Sequence, residues 1–586
     1  NSSFGGLGTI LDWSPVGSFR RPSPIVQQAQ DELFLDRRGQ VNSNEPLWYK
    51  DAVYYEVFVR AFADSSGDGI GDLRGLTGKL DYLKELGVDC VWMLPIYPSP
   101  LRDDGYDVAD FYRIHPDYGT VEDFRELVDA AHERGLRVIA DLVPNHSSDQ
   151  CAWFQASRDP NHPEHDKYRD WYVWSPTDEP YADARIIFID YEPSNWTWDP
   201  VRREYYWHRF FHHQPDLNYD NPEVQEEMLK IIQFWLDQGI DGFRVDAVPY
   251  LYEREGTNCE NLPETHAYLK RMRAYVDEVA PGTILLSEAN QWPEDVRPYL
   301  GDGDEFHMNF HFPLMPRIYL ALARADRAPI LEILARTPPI PETCQWATFL
   351  RCHDELTLEM VTEEERQFMW DFYAPEPRMR LNLGIRRRLA PLLENDRERI
   401  ELANSLLFTL PGAPVVYYGD EIGMGDDIWL EDRDGVRTPM QWSAGRNAGF
   451  SDADAETLYC QPIDDKVYGF QRVNVEAQRG DGKSLWHRMR QMIATRKAQP
   501  ALARGNVRFL DVGNQAVLAF LRRHEGQTVL AAHNLSDKPV EAALDLGEYA
   551  GAGAVDVLDG EPLAPVGEGT YRLALPRYGY RWVRLG

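Results

Sequence analysis

NPEVQEEMLKIIQFWLDQGIDGFRVDAV, residues Asn221–Val248, sets an amphipathic helix directly before an apolar strand. Val224, Met228, Ile231, Ile232 and Trp235 recur at helical spacing and fall on one face. Asn221 can cap the helix, Pro222 suits its first turn, and Gly239 can end it. The strand IDGFRVDAV (Ile240–Val248) follows at once. Seven further runs have the same short apolar character: VYYEVFVRAF (Val53–Phe62), VDCVWMLPI (Val88–Ile96), LRVIADLVPNH (Leu136–His146), TILLSEAN (Thr283–Asn290), FHMNFHF (Phe306–Phe312), QWATFLRCHDE (Gln345–Glu355) and APVVYYGDEIG (Ala413–Gly423). Eight strands alternating with helices predict an α/β fold, a parallel (β/α)8 barrel of the TIM type.

Two insertions break the alternation. Residues 147–214, rich in Trp, Tyr, Pro and Asp, are expected to form an inserted domain after the third strand. Residues 356–396 are expected to form a second inserted subdomain after the seventh. Both leave the C-terminal ends of strands, the active face of such a barrel, where long insertions shape or cover a site. Barrel sequence thus spans 46–146 and 215–500. From 501 to 586 the texture becomes short alternating strands (AVLAFLRR, TVLAAHNL, YRLALP), which reads as a C-terminal antiparallel β-sandwich domain. Residues 1–45 form an N-terminal extension without the basic, apolar, small-residue order of a signal peptide.

The 586 residues carry a formal net charge of -34, spread along the chain, so nucleic acid and anionic membrane surfaces are excluded as partners. No apolar run reaches the ~20 residues of a membrane span. Six scattered cysteines without a CxxC pair predict free thiols and a cytoplasmic protein. Association as a homodimer stays open.

Three carboxylates end apolar strands: Asp246 the fourth, Glu288 the fifth, Asp354 the seventh. Arg244 lies two residues before Asp246 and therefore on the same face. Its guanidinium is expected to lower the Asp246 pKa, which suits a nucleophile. Burial after TILLS is expected to raise the Glu288 pKa and keep its proton, which suits a general acid. The bland alternative is a structural Arg–Asp pair and buried hydrogen-bonding groups. His353 and the Asn145-His146 pair add polar groups at strand ends that can hold sugar hydroxyls.

DLVPNH, QPDLN, GFRVDAV, SEAN and LRCHDE stand in the order of the conserved regions of the α-amylase superfamily (glycoside hydrolase family thirteen), which the chain resembles from Pro46 to Gly586. The resemblance implies Asp246 as nucleophile, Glu288 as acid/base and Asp354 as transition-state stabiliser. It implies His146, Arg244 and His353 as groups gripping the attacked glucose, with Asp103 and Tyr106 of RDDGYD in the same subsite. Arg433, in DRDGVRTPMQW, matches an arginine that closes the pocket in relatives acting on short substrates. EANQWPEDVRPYLG, MNFHFPLMPRIY, HDELTLEMVTEEE and GIRRRLAPLLEND look most like the family's trehalose synthases. That implies retaining α-glucosyl transfer within one disaccharide, maltose to trehalose and back, through a glucosyl-aspartate, with minor hydrolysis. The alternative is a hydrolase of the α-glucosidase or oligo-1,6-glucosidase type. Cys352 departs from the asparagine common at that place.

DSSGDGIGD (Asp64–Asp72) places oxygen-bearing side chains at the first, third, fifth and ninth positions of a calcium-loop pattern. Position twelve is Gly75 rather than a bidentate glutamate, which excludes an EF-hand. The loop resembles the family's structural calcium or magnesium loop, implying ligation by Asp64, Ser66, Asp68, Ile70 (carbonyl) and Asp72; an acidic turn without metal is the alternative. A second structural calcium site is implied at Asn145, Asp216, Tyr250 and Leu251 (carbonyls) and Glu253. No organic cofactor is implied.

Overall fold

The computed structural model describes residues 47–586; the extension expected at 1–45 lies outside them. Eight parallel strands close a barrel: β1 (Tyr54–Val57), β2 (Cys90–Met93), β3 (Arg137–Leu142), β4 (Gly242–Val245), β5 (Ile284–Ser287), β6 (Met308–Phe310), β7 (Gln345–Phe349) and β8 (Ala413–Tyr417). Each lies inside the run that predicts it, and each pairs with its neighbour in sequence until β8 closes on β1, with Tyr54 beside Val415. The strands are shorter than the runs. The end of the first run, Val59–Phe62, turns into a helix.

The helix Pro222–Leu236 forms as its sequence dictates. Asn221 accepts the Glu223 amide, Pro222 opens the first turn, and Gly239 takes a φ of 95° just beyond the end. Val224, Met228, Ile231, Ile232 and Trp235 are buried, each contributing about 1.5–3 kcal/mol by leaving water. The face they form docks the helix on the barrel and aims β4, and with it Arg244 and Asp246, upward.

Between β3 and β4 the chain leaves the barrel for a small three-stranded antiparallel sheet of Trp174–Ser175, Glu204–Trp207 and Trp196–Asp199. After β7 a second excursion carries the helix Glu363–Tyr373 and another small sheet, Leu356–Thr357, Gly384–Ile385 and Arg380–Leu381. The C-terminal domain has a six-stranded antiparallel sheet and a two-stranded one, Val540–Leu544 with Tyr571–Leu575. Its strand Val517–His524 shows the period of two: Leu518 and Phe520 join the core shared with the barrel, while Val517, Ala519 and Leu521 join the core between the sheets. Trp582 Nε1 and His533 Nε2 reach Ser405 Oγ at 2.8 and 2.9 Å, so polar groups also fix the docking. No helix of the described residues is long and apolar enough to cross a membrane.

Candidate active site

β4 ends by passing the Asp246 amide to the Leu142 carbonyl, and β5 by passing the Glu288 amide to the Val245 carbonyl. The two carboxyls therefore emerge side by side. Arg244, fully buried beneath them, donates from Nη1 to Asp246 Oδ1 at 2.6 Å and from Nη2 meets Glu288 Oε1 at 2.9 Å. Its Nη1 also faces Asp141 Oδ2 at 3.3 Å. The second Glu288 oxygen accepts the Ala247 amide at 3.2 Å.

Burial pushes Glu288 up to about 8, against the pull of Arg244 and with the push of the Asp246 and Asp354 charges. The expected rise of Glu288 is therefore present. The expected lowering of Asp246 is not. Burial outweighs Arg244, and the net shift is upward. The approach of the two carboxyls still lowers Asp246 and raises Glu288, leaving the proton on Glu288.

Asp354 sits among cations. Its Oδ1 meets Arg433 Nη1 at 2.8 Å and Arg437 Nη2 at 3.1 Å, and its Oδ2 meets His353 Nε2 at 3.1 Å. Burial alone would raise it; the three positive neighbours win and hold it well below the usual carboxylate range. Burial would likewise lower His353, but Asp354 and Glu56 push it up to about 9. Tyr106 stacks on His353, ring centroids 5.4 Å apart and planes 12° from parallel. Arg433 Nη2 also reaches Asp103 Oδ1 at 2.5 Å, so this guanidinium spans the pocket from Asp103 to Asp354. Gln214 Nε2 holds the other Asp103 oxygen at 2.8 Å, and burial pushes Asp103 up to about 7.

Asp103, Tyr106, His146, Asp246, Glu288, His353, Asp354 and Arg433 line one cavity, with Arg244 forming its floor through Asp246 and Glu288. The first insertion supplies Phe188, over which Arg433 lies at 5.3 Å, and Phe210, whose ring is 5.2 Å from His146. The second supplies Thr357 and Glu359. The two insertions touch at the mouth: Arg185 Nη1 meets Glu359 Oε2 at 2.6 Å, and the Asn382 amide donates to Asp190 Oδ2 at 2.7 Å.

Sequence patterns alone do not mark several polar residues around the site, Asp141, Glu56 and Arg437 among them, nor Gln214, Asn290, Glu355, Thr357 and Glu359. Asp141 and Glu56 are fully buried charged residues within the apolar runs of β3 and β1, and that anomaly was the signal available. Arg437 lies in the same segment as Arg433 and carries no comparable mark. Cys352 is buried beside His353 and burial holds its thiol well up; all six cysteines are unpaired.

The side chains of the expected second metal set, Asn145, Asp216 and Glu253, do come together. Leu217 donates to the Asn145 carbonyl at 2.9 Å, bringing Asp216 beside Asn145, and the turn Val248–Tyr250 followed by Leu251 leads into Glu253. Asn145 Oδ1, Asp216 Oδ2 and Glu253 Oε1 are buried and accept no hydrogen bond. Burial pushes Asp216 up to about 8, and burial with the Asp216 charge pushes Glu253 well up. Buried oxygens without donors are costly unless something positive meets them, and an all-oxygen set suits calcium. These residues fit a cation.

The Asp64–Asp72 loop differs. Asp64 Oδ1 accepts the Ser66 and Gly67 amides at 2.9 and 2.7 Å, and its Oδ2 accepts the Gly69 amide and Ser451 Oγ at 2.8 and 2.6 Å. Ile70 donates its amide to Asp68 Oδ1, and Asp72 caps the next helix through the Gly75 amide. A Cβ at Gly75 would stand 2.0 Å from the Ala63 carbonyl, so no side-chain ligand fits at position twelve. A cation here would share oxygens that already accept donors.

The chain matches the family model described as Alpha amylase, catalytic domain, over 56–372 and 384–505, and the Maltogenic Amylase, C-terminal domain model over 507–582. A trehalose synthase/amylase, TreS, of Mycobacterium tuberculosis is 60% identical over 549 residues, covering 92% of this chain and 91% of that protein. A trehalose synthase of Pimelobacter sp. is 57% identical over 559 residues, covering 93% of this chain and 97% of that protein. Among solved structures, the α-glucosyl transfer enzyme XgtA superposes with a TM-score of 0.75 at 29% identity, covering 92% of this chain and 99% of that one. A trehalulose synthase MutB mutant gives 0.73 at 29% identity, covering 92% and 100%. With its catalytic barrel and C-terminal domain both matched, and with trehalose synthases 57–60% identical over nearly its whole length, the chain belongs to the α-amylase family.

Proposed function

We propose that this protein interconverts maltose and trehalose by retaining α-glucosyl transfer within one disaccharide. The observation that carries the reading is the Asp246–Arg244–Glu288 arrangement, two adjacent carboxyls on one guanidinium with the proton on Glu288, under a pocket spanned by Arg433. The trehalose synthase relatives support the choice of disaccharides.

Retaining glycosidases place their two carboxyls about 5 Å apart, one as nucleophile and one as acid, then base. Asp246 attacks C1 of the bound glucosyl unit. The bond from C1 to the bridging oxygen breaks, and Glu288 gives that oxygen its proton, releasing glucose and leaving a β-glucosyl ester on Asp246. Asp354, held ionised by its cations, stabilises the positive charge that develops at the sugar ring. The released glucose turns and offers its own C1 hydroxyl. Glu288 takes that proton, the oxygen attacks C1, and the ester bond to Asp246 breaks with α-configuration restored. Water competes at about 55 M, but oriented groups reach effective molarities of about 10⁵ M, so a retained glucose wins. Arg433 and the joined insertions retain it.

Incubation with maltose is expected to give trehalose as the major product and free glucose as the minor one, with trehalose giving maltose in return. Added labelled glucose is expected to enter either disaccharide poorly. Resolving the products by chromatography checks this. Mainly glucose without trehalose would replace the isomerase with an α-glucosidase; free entry of label would make the transfer intermolecular.

We assign Asn145, Asp216 and Glu253, with the carbonyls of Tyr250 and Leu251, to a structural calcium ion. Its role is to brace the strand carrying His146 against the first insertion. In metal-free protein Asp216 keeps in the fold a proton that the unfolded chain gives up near pH ~4. The stability this represents is whole below that pH and is lost as pH rises through about 8. Chelation is therefore expected to lower Tm by a few degrees, more at about pH 8 than at about pH 5, because a bound cation contributes about 2.7 kcal/mol at a hundredfold excess over Kd. A melt insensitive to chelation, on protein free of calcium and magnesium by metal analysis, removes the assignment. Repeating the analysis on Asp216→Asn distinguishes this ion from calcium or magnesium in the Asp64–Asp72 loop, which that variant would leave bound.

A further inference from the structure

We infer that Glu56 is a positioning residue of the sugar site, whose carboxylate fixes the His353 ring as an imidazolium and through it holds Asp354 and Tyr106 in place. The inference rests on the reading that His353 and Asp354 face the bound glucose.

Glu56 stands on β1 among Tyr54, Tyr55 and Val57, with no exposure at all. A carboxylate in such a strand is costly unless a partner meets it. The partner is His353: Glu56 Oε1 accepts its Nδ1 at 2.6 Å and its amide at 3.1 Å. On the other side, His353 Nε2 lies 3.1 Å from Asp354 Oδ2 and 2.8 Å from the Tyr106 hydroxyl. The Tyr106 hydroxyl donates to Asp141 Oδ2, so it offers His353 only a lone pair. A carboxylate accepts and does not donate. Each ring nitrogen therefore faces acceptors, and each must carry a proton.

The surroundings of the ring agree. Glu56 approaches from β1, Tyr106 lies over one face, and the Trp92 ring meets it edge-on at 6.0 Å. Asp354 and Cys352 adjoin it in sequence, and Arg437 Nε donates to the His353 carbonyl at 2.8 Å. Asp141 and Arg244 follow beyond Tyr106, with Arg244 Nη1 at 3.4 Å from the hydroxyl. The hydrogen-bonded chain from Glu56 thus runs through His353, Tyr106, Asp141 and Arg244 to Asp246. Asp354 and Glu56 push His353 up to about 9 against burial, in keeping with a ring that stays charged while Glu288 still holds its proton.

NMR of the full chain with ¹⁵N-labelled histidine tests this, the His353 signals being assigned by their loss in His353→Asn. Both ring nitrogens of His353 are expected to be protonated at neutral pH in the unaltered protein. In Glu56→Gln, which keeps the shape and removes the charge, His353 is expected to deprotonate at a pH lower by about one unit or more. Once His353 loses its proton below about 8, where Glu288 otherwise sets the high-pH limb, that limb of kcat/KM for maltose consumption, counted over all products, is expected to move down. Glu56→Asp, which restores the charge, should return part of the shift. A merely structural glutamate would leave the limb in place. A neutral His353 in the unaltered protein overturns the proposal, and that measurement needs no variant to fold. An unmoved limb together with an unmoved His353 signal in folded Glu56→Gln overturns it too. Absence of any maltose turnover would strike at the proposed reaction instead, while the spectra still decide the charge on His353.

Discussion

Asp246→Asn is expected to remove turnover of both maltose and trehalose, by about 10⁵-fold or more in kcat, while the protein stays folded. An amide cannot form the glucosyl ester, and no other group is placed to do so: Glu288 carries the proton, and Asp354 is tied to His353, Arg433 and Arg437. The fold should survive because Arg244 keeps contacts with Asp141 and Glu288, and the amide fills the same volume. Initial rates with each disaccharide, beside a thermal melt, check both halves. Residual turnover above about one per cent would remove Asp246 from the nucleophile's role, since losing such a group costs far more than a hundredfold.

Glu288→Gln is expected to slow maltose turnover by about 10³–10⁴-fold, the usual worth of a positioned acid. Its signature is selectivity. α-Glucosyl fluoride has a leaving group that needs no proton, so it should still load the enzyme at close to the normal rate. The glucosyl adduct on Asp246 should then persist, because the base that activates the acceptor is missing, and intact mass would show one added glucosyl unit. In the unaltered enzyme kcat/KM for maltose should fall as pH rises through about 8, where Glu288 loses the proton it must donate. The loading rate of the variant should be flat across that range. Equal slowing with both substrates would show that Glu288 does not act as the acid.

The barrel was legible because its signals are local. Each of the eight strands is a short apolar run, and Asn221, Pro222 and Gly239 punctuate a helix whose buried face is printed in its own periodicity. Asp246, Glu288 and Asp354 stand out as candidates because three carboxylates end apolar strands of one barrel within ordered family motifs, although any one of them alone could be a cap or an ion-pair partner. The companion Arg244 could be placed on the same face of β4 from the period of two alone.

Other features are decided only by what tertiary structure brings together. The spacing of Arg244 and Asp246 alone predicts a lowered Asp246. The fold shares that one guanidinium among Asp141, Asp246 and Glu288 and buries them all, so burial wins and Asp246 rises. Glu56 lies 297 residues from His353 in sequence, yet the closure of β8 onto β1 completes the ring that sets them 2.6 Å apart. Arg433 closes the pocket because Asp103 and Asp354, at the ends of different barrel segments, both turn toward it. Whether loop oxygens accept protein donors, as in Asp64–Asp72, or stay without them, as at Asn145, Asp216 and Glu253, depends on which backbone amides the fold delivers. Strand periodicity is written in neighbouring residues and needs nothing else. Charge state and closure depend on distance and burial among residues far apart in the chain, and those exist only once the barrel has closed.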